Sequence, residues 1–270
     1  MRAEAKSGRL LLTAAVCLFA GGPALAAPVS RVQAGPTTLD REFRAAYPLS
    51  ARPPGKPVAG VALARLVLPG LQLAARSERV AADGGLVLSF ADGTGAVLAV
   101  VQLAVFADAG AARQELDAEL HGVSAQLGPA AEATLGELAW VDDAGKGTAL
   151  VLAVQANLAY SVRVLDPSPG GLTAAAIAGV IRAAIVPGPP TFPAATVTLP
   201  PTLDARGGGE VRVAVRGGHP YKLRAEGGYI ARAASGAVVR PLGPGPVTVH
   251  ATVVDELARV TDAWATTRAQ

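Results

Sequence analysis

Three histidines, His121, His219 and His250, are the natural starting points for acid–base or metal chemistry in this chain. His121 follows Asp117 by four residues, so imidazole and carboxylate share one helix face and read as a surface pair. His250 alternates with Val249 and Ala251 on a strand, and His219 sits in a turn between Gly218 and Pro220. The last two histidines could meet across a β-sandwich, but two histidines without a nearby third ligand are a poor zinc site. Asp142-Asp143 in DDAGKG is the richest acidic turn, yet it offers too few alternating oxygen ligands for calcium and reads as a hairpin. A carboxylate pair would have to be assembled from distant segments, Asp255 or Glu256 with Glu226. No G-x-S-x-G, H-E-x-x-H or Walker glycine loop is present. The expectation is a non-enzyme with no catalytic residue, no metal and no cofactor.

The densest polar stretch is RGGHPYKLRAEGGYIAR, residues 216–232. Alternation places Val211, Val213 and Val215 inward and Arg212 and Arg216 outward, with a turn at Gly217-Gly218. Tyr221, Leu223 and Ala225 then face inward while Lys222, Arg224 and Glu226 face outward, and Gly227-Gly228 makes the next turn. These charges read as the solvated face of two adjoining strands. The functional alternative is a ligand or partner patch made of Arg212, Lys222, Arg224 and Tyr229. Nine basic against six acidic residues from position 191 onward favour it. Of the two tryptophans, Trp140 reads as core and Trp264 as a strand residue able to meet a partner.

The elements that position these residues fall into segments. Arg2, Lys6 and Arg9, the apolar LLLTAAVCLFA and Ala24-Leu25-Ala26 form a secretory signal peptide over 1–26, so the protein is expected to be secreted or periplasmic. Its apolar core is shorter than the roughly 18–20 residues a bilayer span needs. Cleavage there removes the only cysteine, Cys17, and with it any disulfide or thiolate chemistry. Removing Arg2, Lys6, Arg9 and Glu4 from 24 basic and 21 acidic residues leaves 21 and 20, which argues against a nucleic-acid partner. The longest remaining apolar run, 96–107, is interrupted by Gln102, so no transmembrane segment is expected after cleavage.

A leader over 27–57 carries a possible short helix, Leu39 to Ala46. Residues 58–187 read as a domain of hairpins and two helices: LVLSF and VLAVVQLAVF around Asp92-Gly93, a helix over 108–124, TALVLAVQ and LAYSVRV around Ala156-Asn157, and a helix from Leu172 to Ile185 capped near Thr173. A Pro-rich linker, 188–193, leads to about seven short alternating strands over 194–270. The expected class is α+β, an antiparallel sheet flanked by helices, followed by an all-β immunoglobulin-like sandwich.

GGHPYKLRAEGG with its inward tyrosine and the closing VTVHATVVDELARVTDA resemble the immunoglobulin-like domains of bacterial surface and secreted proteins. In its order of elements the first domain resembles secreted α/β domains of the PsbP type. These resemblances imply fold and a binding habit. The functional expectation is adhesion to, or assembly with, another envelope or secreted protein. The alternative is a small-ligand carrier or sensor with a pocket bounded by Leu116, Leu120 and Ile177.

Overall fold

Aliphatic and β-branched runs between residues 58 and 187 form nine strands: β1 (Val58–Val61), β2 (Gln72–Ala74), β3 (Leu86–Ala91), β4 (Val97–Val105), β5 (Gly128–Pro129), β6 (Leu138–Asp142), β7 (Leu150–Gln155), β8 (Leu158–Val164) and β9 (Ile185–Pro187). Helices α1 (Ala109–Gly122) and α2 (Ala174–Ala183) interrupt them. Seven of the strands make one sheet in the order β2-β3-β4-β8-β7-β6-β5, with every neighbouring pair antiparallel. Each helix starts at a side-chain cap: Asp108 Oδ1 accepts from the Ala111 amide (2.9 Å), and Thr173 Oγ1 from the Ala176 amide (3.1 Å). The computed structural model describes residues 45, 47–49, 52–74, 85–123, 127–130, 135–142, 149–165, 171–204, 206–233 and 236–270. The expected signal peptide, all but Ala45 of the leader helix, and Asp143 of the acidic turn lie outside them.

The expected class is corrected by the balance of elements. The described residues are mostly β, 50% strand against 15% helix in several sheets, and they contain two α-helices. Both helices rest chiefly on the same two strands, β7 and β8. Much of the core over the seven-stranded sheet is completed by other parts of the chain: Val58 and Val61 of β1, Leu66 and Leu68 beyond a 3-10 turn at Leu63–Arg65, and Ala258 and Val260 from near the C-terminus. Short strands and extended covering segments lack a strong period, so sequence periodicity brings out the two helices more strongly than the strands around them.

From residue 195 the described regular elements are all strands: β10 (Ala195–Thr198), β11 (Thr202–Leu203), β12 (Gly209–Val215), β13 (Tyr221–Glu226), β14 (Gly228–Ala233), β15 (Gly236–Pro241), β16 (Gly245–Val254) and β17 (Val260–Ala269). They make two four-stranded sheets, β10-β12-β15-β14 and β11-β17-β16-β13. Val197, Val211 and Val239 of the first sheet share a core with Leu203, Val247, Val249 and Ala251 of the second, so the sheets face one another as a β-sandwich.

β1 and β9 pair as a two-stranded sheet of their own, and the turn between β16 and β17 of the sandwich reaches β1 and the residues just after it, where the amides of Val61 and Leu63 donate to Leu257 O (2.9 Å) and Glu256 O (3.0 Å). Gly60 permits that approach, since a Cβ there would lie 2.3 Å from Leu257 O. Inside, buried Asn157 accepts from the Val58 amide (2.7 Å) and donates to Val58 O (3.0 Å) and Phe106 O (2.8 Å).

Candidate functional site

β16 and β17 pair over their full length, from Gly245↔Ala269 to Val254↔Val260. Val247, Val249, Ala251 and Val253 fill the sandwich interior, so alternation sends Thr248, His250 and Thr252 to the outer face. β13 lies against β16 with Lys222, Arg224 and Glu226 opposite Thr252, His250 and Thr248, and β17 adds Asp262, Trp264 and Thr266. One row across the three strands therefore reads Arg224, His250, Trp264.

His250 organises this face, with its side chain 14% exposed. Its Nδ1 lies 2.8 Å from Asp262 Oδ2, and Thr252 Oγ1 donates to Asp262 Oδ1 at 3.0 Å. A carboxylate can only accept, so the geometry places the proton on Nδ1. The 3.3 Å approach of Arg224 Nη2 to the same nitrogen is then a contact between donors, and Arg224 donates instead to Glu226 Oε1 (3.1 Å). His250 Nε2 is buried, lies 3.5 Å from Glu226 Oε1 and makes no hydrogen bond. The pair Asp262–His250 therefore has the base and its orienting carboxylate of a nucleophilic triad, with no hydroxyl hydrogen-bonded to Nε2. Thr248 and Thr266, the nearby hydroxyls, bond to one another at 2.9 Å. What the arrangement offers is a fixed array of donors and acceptors beside a large aromatic ring, Trp264, which is 65% exposed.

The four residues read from sequence as a patch are divided between opposite sheets. Lys222 and Arg224 stand on the outer face just described, whereas Arg212 and Tyr229 lie on the outer face of the other sheet. There Arg212 pairs with Glu210 at 3.0 Å and Tyr229 stands opposite Arg240. The histidines stay apart too: His121 Nδ1 is 2.7 Å from Asp117 O, and His219 Nδ1 is 3.5 Å from Glu256 Oε2. Asp255 pairs with Arg259, so Asp255, Glu256 and Glu226 each have separate partners. Tyr221, expected in the core, keeps inward alternation but sits at the open end of the sandwich and is 45% exposed. Trp140 is buried and meets the ring of Tyr47 edge-on at 5.7 Å. The cluster of Asp262 and Thr252 around His250 was missed. Its signal was the alternation of polar residues in VTVHATVV and VTDAWATTR, which matches only when the two strands are put in register.

Among the described residues no group of three or more His, Cys, Asp or Glu side chains is arranged to hold a metal ion, and no helix is long and apolar enough to cross a membrane. Beside α1 a cleft of about 30 Å³, lined by Leu86, Gln102, Leu103 and Tyr160 among others, has room for one or two waters. Leu116, Leu120 and Ile177 are fully packed. No protein-family model, curated protein or solved structure matches this chain.

Proposed function

We propose that the chain is a non-catalytic binding protein of the secreted or periplasmic space that assembles with another envelope or secreted protein, using its C-terminal sandwich as an immunoglobulin-like binding module. Trp264 carries this reading. A tryptophan 65% exposed in mid-strand gains nothing from its position in the isolated chain. Once covered, it becomes the kind of anchor that dominates interface energetics. Around it, Asp262 holds His250 and Glu226 holds Arg224, so these side chains present polar groups at little further entropic cost.

The test is affinity capture from the exported fraction of the source cells, with the chain lacking residues 1–26 and its Trp264→Ala variant used side by side. A protein retained by the first and lost by the second supports the reading. Identical captures by both remove Trp264 from the interface and overturn it.

A further inference from the structure

On the Trp264 face the atom worst served by its surroundings is His250 Nε2. Asp262 fixes the ring proton on Nδ1, so Nε2 presents a lone pair, and it is buried without a hydrogen-bond partner. The atom opposite is Glu226 Oε1 at 3.5 Å, which is itself an acceptor. Two acceptors held face to face repel one another while the ring is neutral. One added proton turns the same contact into a charge-assisted hydrogen bond.

The charged groups around the ring come from both neighbouring strands. β13 supplies Lys222, Arg224 and Glu226, opposite Thr252, His250 and Thr248. β17 supplies Asp262, with Arg268 further along the same face, and β16 adds no other charge. Arg224 is the group most exposed to a change at the ring. Its Nη1 donates to Glu226 Oε1 at 3.1 Å, the same oxygen that faces Nε2, and its Nη2 lies 3.3 Å from Nδ1. A neutral imidazole tolerates that guanidinium. An imidazolium repels it and competes for its oxygen.

We infer that a single proton from solvent, taken up at His250 Nε2, switches this face between two states and so regulates what it binds, an inference that rests on the reading of the Trp264 face as an interface. In the neutral state Arg224 is held on Glu226. In the protonated state His250 bridges Asp262 and Glu226, tying β16 to both neighbours, and Arg224 is released into solvent in the row that contains Trp264. The face then carries one more positive charge and a guanidinium free to engage a partner.

Histidine changes charge between about pH 5 and 8, so those two ends are compared by NMR on the chain lacking residues 1–26, with no partner present. At the upper end the His250 ring should carry its proton on Nδ1 alone, and at the lower end on both nitrogens. The Arg224 guanidinium protons should exchange faster, and the Trp264 indole N–H signal should move, with the same midpoint as the ring. Glu226→Gln removes the carboxylate that favours the charged ring and should move that midpoint to lower pH. Glu226 is exposed, and a thermal melt confirms that the variant is folded. A proton found on Nε2 at the upper end overturns the inference. So do Arg224 and Trp264 signals that fail to follow the ring, or a midpoint indifferent to Glu226→Gln. These readings use the chain alone, so they stand or fall whether or not Trp264 captures a protein. Capture repeated at the two ends should differ for the wild type and not for His250→Gln. Equal capture by the wild type at both ends overturns the regulation while leaving the Trp264 interface in place.

Discussion

Asp255 holds Arg259 across the turn between β16 and β17, with Nε and Nη2 both 2.6 Å from Asp255 Oδ2. The other oxygen, Oδ1, accepts from the amides of Leu257 and Arg259 at 3.0 Å each. The carboxylate is fully buried and fully bonded, so it fixes the turn that reaches β1. Asp255→Ala leaves a guanidinium and two amides without their acceptor. It should lower stability by about 3–5 kcal/mol in urea denaturation, the usual result of breaking a buried pair from one side. A loss below about 1 kcal/mol would mean that the turn is held by its backbone alone.

Asn157→Ala should cost about 2 kcal/mol or more, because it strips partners from the Val58 amide and from two carbonyls in a site with little water. The same substitution at Thr94, exposed in the β3–β4 turn, should change stability far less. Chemical denaturation of the two variants in parallel provides the comparison.

Tyr221→Ala should fall well short of the roughly 3–5 kcal/mol typical of core aromatics, since about half the ring already meets solvent. Tyr160→Phe probes a different case: its buried hydroxyl donates to Leu135 O, and removing it should cost about 1–3 kcal/mol through the orphaned carbonyl. Thermal melts that rank Tyr221→Ala as the more damaging of the two would show that the open end of the sandwich is closed in solution.

Two groups give pH dependences of opposite sense. Hydrogen bonds from the Thr94 hydroxyl and amide hold the Asp92 carboxyl below its usual value near 3.8. Its stabilising contribution is therefore complete above that value and is lost as pH falls through the lower, folded one. An NMR titration of Asp92 Cγ should locate that depressed midpoint. Burial pushes the Tyr160 phenol well above its usual value near 10, so its contribution is complete below pH 10 and is lost in stronger alkali. In an ultraviolet titration, one of the four tyrosines should resist ionisation until the fold opens.

Fluorescence separates the tryptophans. Trp264, 65% exposed, should be quenched readily by iodide, whereas Trp140, 3% exposed, should be protected. After Trp264→Ala the remaining emission should be blue-shifted and nearly insensitive to iodide. If wild-type emission were already insensitive, Trp264 would be covered in the free protein.

The parts of the fold legible in sequence were those with a short repeat. VLAVVQLAVF and LAYSVRV form β4 and β8, and Leu116 and Leu120 mark the buried face of α1. Thr173 caps α2 as its position suggested. Partnerships across long distances were not legible: β1 pairs with β9 over more than 120 residues, and three residues of either strand carry no distinctive pattern. Asn157 was read as a turn residue because its side-chain bonds reach Val58 and Phe106, far away in sequence. At the candidate site, alternation correctly sent Lys222, Arg224 and His250 outward. It could not show that Arg212 and Tyr229 belong to the opposite sheet, since side-chain parity says nothing about which sheet a strand joins.

The burial of Ala258 and Val260 in the core over the seven-stranded sheet bears on how the chain can be divided. A cut in the Pro-rich stretch 188–193 would leave the N-terminal piece with a vacancy and the C-terminal piece with a protruding apolar tip. Neither fragment should then be a faithful stand-in for its part of the whole. Mixed together, however, the two pieces should recognise one another and restore the native melt, because each carries the surface that the other lacks.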